Sequence, residues 1–184
     1  MIKGHGWIKE GQCGCSQKGL LWQYTDLRSL CAELLECAVL AYPVENFARF
    51  DAASRLVAIS VALALNDASI PYSKGKKQDI GILGTNTDGA LDSNLSYFRD
   101  YVAAGRKLGR GNFFIYTLAS SPLAESAIHF GLQGPAFYMR NLENPEENLL
   151  AQGELMVRNK AAQTILAVSF GTKEAACKCI QETI

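Results

Sequence analysis

Six cysteines and two histidines carry most of the potential chemistry in this sequence. Four of the cysteines form two Cys-x-Cys pairs, Cys13/Cys15 and Cys177/Cys179, and two such pairs have the donors for a tetrahedral zinc site. Structural zinc sites more often use Cys-x2-Cys spacing, and no histidine lies near either pair. In a strand, residues i and i+2 share a face, so each pair also reads as two small apolar side chains pointing inward. That reading is the expected one, with no metal and no cofactor. Cys31 and Cys37 fall on a helical pattern, and with no secretory signal in view disulfides are not expected. His5 sits between glycines and His129 within a helical stretch, and both suit surface or packing roles. Spacing assembles no Ser-His-Asp or Cys-His set. Gly81-Ile-Leu-Gly84 and Gly105-Arg-Lys-Leu-Gly-Arg-Gly111 do not read as phosphate loops, and the latter lacks the Lys-Ser ending and the strand-to-helix placement such loops need. Lys74/Lys76/Lys77 and Arg106/Lys107/Arg110 form two short basic clusters. They read as solvated turns that could also meet an acidic carrier protein.

The elements that must position these residues are legible as alternating patterns. Residues 2–9 predict a first strand, and the glycine-rich stretch 11–19 a loop. Leu27, Leu30, Cys31, Leu34, Leu35 and Ala38 follow helical spacing behind a possible cap at Asp26, and Pro43 stops that helix. An alanine-rich helix is expected over 51–68, a buried strand over 79–85, a helix over 91–108, a loop at 109–112 and a further helical pattern over 118–130. A strand at 136–140, a helix over 144–160 with Pro145 in its first turn, and strands at 164–170 and 175–184 complete the chain. Strands alternating with helices argue a layered α/β sheet.

The chain has 184 residues, 48% of them hydrophobic and 20% charged, which suits one folded domain over 1–184 rather than a disordered segment. Eighteen basic residues balance eighteen acidic ones, so no global field draws in nucleic acid or an anionic membrane. The longest apolar stretch, 56–65, is half of what a membrane-crossing helix needs (~20 residues). A cytoplasmic location is expected.

Several stretches, in order, resemble the amino-terminal half of the β-ketoacyl synthases of the thiolase superfamily. Phe50-Asp-Ala-Ala-Ser-Arg through Ala64-Leu-Asn-Asp-Ala68 looks like that family's early helix, with its Ala-Leu-x-Asp-Ala ending. Asp79-Ile-Gly-Ile-Leu-Gly-Thr85 resembles the strand that follows it. Ala124-Glu-Ser-Ala-Ile-His-Phe-Gly-Leu-Gln-Gly-Pro135 is similar to the helix and Gly-Leu-x-Gly-Pro turn before the nucleophile strand. Gly153-Glu-Leu-Met156 and residues 164–170 fit the helix and strand after the nucleophile. The resemblance covers about three quarters of the chain. It implies half of a thiolase-like fold, a mixed, mostly five-stranded sheet flanked by helices.

In that family the active-site cysteine lies eight residues after the proline of Gly-Pro, at the amino end of a buried helix. Eight residues beyond Pro135 is Glu143, and the stretch Arg140-Asn-Leu-Glu-Asn-Pro-Glu-Glu147 holds no cysteine, serine or threonine. Helix amino termini lower a thiol's pKa and stabilise an oxyanion, but a carboxylate there is a poor nucleophile toward a thioester. Glu143 also suits helix capping with no further role. The family's two catalytic histidines (or a histidine and asparagine) come from a carboxy-terminal half, and this sequence ends at Ile184. The resemblance therefore implies no catalytic residue, and a partner or accessory subunit for fatty-acid or polyketide-type biosynthesis. The alternatives are a small acyl-thioester-binding enzyme using Glu143 as acid or base, and a purely oligomeric remnant. Expected partners are a second copy joined through the 136–140 strand, a full-length ketosynthase, or an acyl carrier protein. A half-fold would also expose the helix face carrying Leu149, Leu150, Leu155, Met156 and Val157.

Overall fold

In a computed structural model that describes residues 1–107, 109–140 and 143–182, the apolar segments become one mixed sheet with helices on both faces. Its strands are β1 (Ile2–Lys9), β2 (Gln12–Cys15), β3 (Leu20–Gln23), β4 (Ile80–Thr85), β5 (Ala136–Tyr138), β6 (Thr164–Phe170) and β7 (Glu174–Gln181). They lie in the order β3-β2-β1-β7-β6-β4-β5. β4 pairs in parallel with β5 and β6, while β7 runs antiparallel to both β6 and β1. The helices are α1 (Leu27–Glu36), α2 (Ala52–Asp67), α3 (Leu91–Ala103), the single turn α4 (Gly111–Phe114), α5 (Ser121–Phe130) and α6 (Pro145–Arg158). The sequence limits expected at Leu108 and Ile184 lie outside the described residues.

The sheet has seven strands rather than five. The two extra strands come from residues 11–23, where a loop was expected over 11–19. Glu10 and Gly11 both adopt positive φ (46° and 81°), the backbone of a two-residue hairpin turn whose twist matches its strands. β2 is then zipped to β1 in the register Gly6↔Cys15 and Ile8↔Cys13. Gly11 and Gly19 take the positive φ of turns, and Gly14 lies close against Leu20 O and the Trp7 ring.

α2 is buried almost throughout, with the sheet on one side and α5 on the other. It approaches β1 so closely because Gly4 and Gly6 have no side chains. A Cβ on Gly6 would lie 2.4 Å from Ser60 O and Ala64 N, and one on Gly4 would lie 2.5 Å from Ala64 O. The alanines of α2 and the glycines of β1 are thus two halves of one contact. Ile8, Leu166, Val168 and all four Cys-x-Cys cysteines point to this side of the sheet. The carboxylate of Asp67, in the last turn of α2, accepts from the backbone N–H groups of His5, Gln17 and Lys18 at 2.8–3.0 Å. It ties the β2–β3 turn to the helix.

The other sheet face is covered by α6. Leu149, Gly153 and Val157 are buried there against Leu83, Ile165, Ala167 and Ile180. This corrects the expectation of an exposed α6 face. Leu149 and Val157 face this chain's own sheet, Leu150 and Met156 are half-buried, and of the five only Leu155 is exposed. The large exposed apolar side chains cluster instead on α3 and the segment after it.

Candidate functional site

Residues 131–139, ahead of the position eight residues past Pro135, are held against β4. Gly131 to Pro135 runs beside the start of β4, through Gln133 N to Gln78 O, Gly134 N to Ile80 O and Ile82 N to Pro135 O. β5 continues that pairing, with Met139 N donating to Gly84 O at 2.8 Å. The Tyr138 hydroxyl donates to Asn86 Oδ1 at 2.8 Å and fixes the top of β5 against the turn after β4. β5 lies at the sheet edge, with Ala136 and Phe137 exposed.

Glu143 is exposed and stands two residues ahead of the first helical residue of α6. Its carbonyl accepts from Asn148 Nδ2 at 2.7 Å, and Asn144 between it and the helix adopts a left-handed conformation (φ 47°). Glu146 and Glu147 occupy the first turn, where the helix dipole favours carboxylates. Residues 143–148 supply acceptors and no thiol or hydroxyl. The neighbouring Asn141 and Leu142 of the expected nucleophile turn lie outside the described residues.

A cavity of about 400 Å³ opens at the carboxyl ends of β4 and β6, beside the start of α2. Phe50, Asp51, Asn86, Leu91, Tyr116 and Phe170 contribute to its wall, and Glu143 does not. Asp51 caps α2 through Ser54 N (2.8 Å) and accepts from the Ser93 hydroxyl of α3 (2.7 Å). The Tyr116 phenol is pushed up to about 12, first by burial and then by Glu125, to whose carboxylate it donates at 3.2 Å. This wall can hold a partly apolar ligand. It brings no cysteine or histidine to bear. Sequence reasoning missed the cavity, and its signal was Asn86-Thr-Asp-Gly89 directly after a buried parallel strand, where α/β sheets place ligands.

The remaining chemistry-bearing residues are dispersed. Cys13, Cys15, Cys177 and Cys179 are buried free thiols beneath α2. Burial pushes Cys13 and Cys179 up to about 12 and Cys177 well above its ordinary range, so these groups stay protonated. Among the described residues no group of three or more His, Cys, Asp or Glu side chains is placed to hold a metal. The His129 ring touches those of Tyr42 and Phe130, each with its centroid 4.6 Å away, and its carbonyl accepts from the Tyr42 hydroxyl. Burial lowers its imidazole to about 4. His5 lies on the opposite sheet face from Gly4 and Gly6, its Nδ1 2.8 Å from Ser16 Oγ. In the basic clusters, Lys74 pairs with Glu45 and Arg110 with Asp100, each at 2.6 Å. No helix among the described residues is long and apolar enough to cross a membrane.

No protein-family model and no curated protein matches the chain in sequence. Solved structures do match its fold. A chain of the ishigamide ketosynthase/chain length factor aligns at a TM-score of 0.67 and 12% identity, covering 99% of this chain and 62% of that one. A chain from a ketosynthase in complex with its chain length factor, from Xenorhabdus doucetiae, aligns at 0.66 and 13%, covering 100% of this chain and 79% of that one. A β-ketoacyl synthase from Burkholderia phymatum aligns at 0.64 and 9%, covering 99% and 58%. This chain therefore spans between three fifths and four fifths of the length of those proteins. Its architecture is the thiolase-like fold of the ketosynthase and chain-length-factor structures, carried by the whole chain at 9–13% identity.

Proposed function

We propose that this protein is a non-catalytic, ketosynthase-like partner subunit that binds a full-length ketosynthase in fatty-acid or polyketide-type biosynthesis. The observation that supports the reading is Glu143. In a chain with this fold, the position eight residues past the Gly-Pro turn carries an exposed carboxylate at the start of α6, with no thiol or hydroxyl over residues 143–148. A helix amino terminus that would activate a thiol and stabilise an oxyanion there meets a group that does neither. The open edge of β5 offers a partner backbone N–H and C=O groups to extend the sheet, a common way for two chains to join.

The test is co-expression with a ketosynthase from the same cell, followed by size-exclusion chromatography and acyl transfer from a radiolabelled acyl carrier protein. The reading expects a stable heteromer in which label attaches to the ketosynthase and not to this chain. Acylation of this chain, or turnover abolished by Glu143→Gln with the fold intact, overturns it in favour of an acyl-thioester enzyme.

A further inference from the structure

α3 is turned inside out. Its polar and half-buried residues Ser93, Tyr97 and Asp100 face the body of the protein. Ser93 donates to Asp51 at 2.7 Å, Tyr97 lies against Phe114, and Asp100 pairs with Arg110 at 2.6 Å. On the opposite side of the same helix lie Leu91, Leu95, Phe98 and Val102, exposed at 55%, 42%, 59% and 41%. A surface helix ordinarily buries such a stripe against its own core. Here no described residue of the chain buries it, and α3 has no buried residue. Exposed Phe114, Ile115 and Leu118 lie on the segment it packs against.

The stripe carries information about what covers it. Its spacing is 4-3-4, which reads the same in both directions about a point between Ser96 and Tyr97. Under a twofold axis through that point, two antiparallel copies of α3 bring Leu95 against the partner's Phe98, and Leu91 against the partner's Val102. The spacing is that of knobs packing into holes. The flanks agree with the same geometry. Asp92 and Arg99 both border the stripe on one side, seven residues apart and both exposed. In an antiparallel pair this flank faces its own symmetry mate, so Asp92 meets the partner's Arg99 and Arg99 meets the partner's Asp92. The opposite flank presents Asn94 and Tyr101, with no charge to oppose itself. A parallel pair would set the Asp92/Arg99 flank against the partner's uncharged Asn94/Tyr101 flank and forfeit this cross-pairing. We infer that α3 is the contact surface for a second copy of this chain, two α3 helices packing antiparallel across a twofold axis. Such an interface is isologous and closes at two subunits.

This inference is independent of the proposed partnership with a ketosynthase, which was placed at the β5 edge. Sedimentation equilibrium of the purified chain tests it, with circular dichroism as the control for folding. The wild type is expected to form a dimer of 20.0 kDa subunits. Phe98→Asp, at an exposed position, is expected to raise the dimer dissociation constant by thirtyfold or more (on the order of a lost hot-spot side chain) with the spectrum unchanged. Arg99→Asp alone and Asp92→Arg alone are each expected to weaken the dimer roughly tenfold through paired like charges. The double variant Asp92→Arg/Arg99→Asp is expected to return to within roughly threefold of wild type, because the swap restores both ion pairs. A monomeric wild type at 100 µM (about the concentration of a modest dimer's dissociation constant) overturns the inference. So does a dimer indifferent to Phe98→Asp, which would locate self-association elsewhere, or failure of the double variant to recover. Capture of a ketosynthase by Phe98→Asp as strongly as by wild type leaves the partner-subunit reading standing whatever becomes of the dimer.

Discussion

α2 and α3 have similar lengths and opposite relations to water. α2 hides nearly every side chain between a sheet and α5, while α3 points its aliphatic residues and Phe98 outward and holds on by two polar contacts and the Tyr97–Phe114 ring pair. The difference originates in the partner surface each helix is offered. β1 gives α2 a glycine-floored trough into which an alanine-rich helix fits backbone to backbone. The inner side of α3 meets a smaller floor, Tyr97 against Phe114, and is stitched by Ser93 and Asp100. One helix belongs to the core of the subunit. The other is built for something outside it.

The largest effect that would break this contrast is at Gly6. Gly6→Ala forces a methyl to within 2.4 Å of α2 backbone atoms, which cannot swing aside as a side chain would. A loss of about 3 kcal/mol is expected by urea denaturation. Asp67→Ala strands the amides of His5, Gln17 and Lys18 in a half-buried place, and about 2 kcal/mol is expected by the same measurement. His129, behind α2 on α5, supplies a pH test. Its folded-state value of about 4 lies below the ordinary 6.5, so the unfolded chain binds more protons between those values. Stability is then full above pH 6.5 and falls as pH drops toward 4, by about 1.5 kcal/mol after allowance for partial exposure. His129→Gln should flatten that window in thermal melts at stepped pH. Asp51→Ala removes the α2 cap and the Ser93 link at once. About 1 kcal/mol is expected, with faster amide exchange confined to the first turns of α2 and to α3. The smallest effect sharpens the contrast best. Phe98→Ser should leave the unfolding free energy of the dilute protein within about 0.5 kcal/mol of wild type, because the ring is 59% exposed in its own subunit.

The parts of the molecule that were legible in its sequence are those where one residue pattern has one physical use. The alanine helix 51–68, the apolar run 164–170 and the 144–160 helix appear within two residues of their expected ends, since periodicity, the Asp51 cap and Pro145 in a first turn specify them. The alternating inward placement of Cys177 and Cys179 was likewise readable. The hairpin of β2 and β3 was not. Gly-Gln-Cys-Gly-Cys has the composition of a loop, and only the pairing with β1 shows Cys13 and Cys15 turned beneath α2 and Gly14 against Trp7 on the opposite face. The exposed stripe of α3 was read simply as a helix, because spacing reveals an apolar face without saying which way it turns. The cavity beside Asp51 is assembled from segments far apart in the chain, around residues 50, 86, 116 and 170, which no local pattern connects.

The four thiols beneath α2 have a practical consequence. Cys37 is open to solvent, whereas Cys13, Cys15, Cys177 and Cys179 can be reached only if the helix lifts away from the sheet. An alkylating reagent added to the native protein therefore acts as a stopwatch with two hands. One mark is made at once, and the slow ones record how often the interior comes apart.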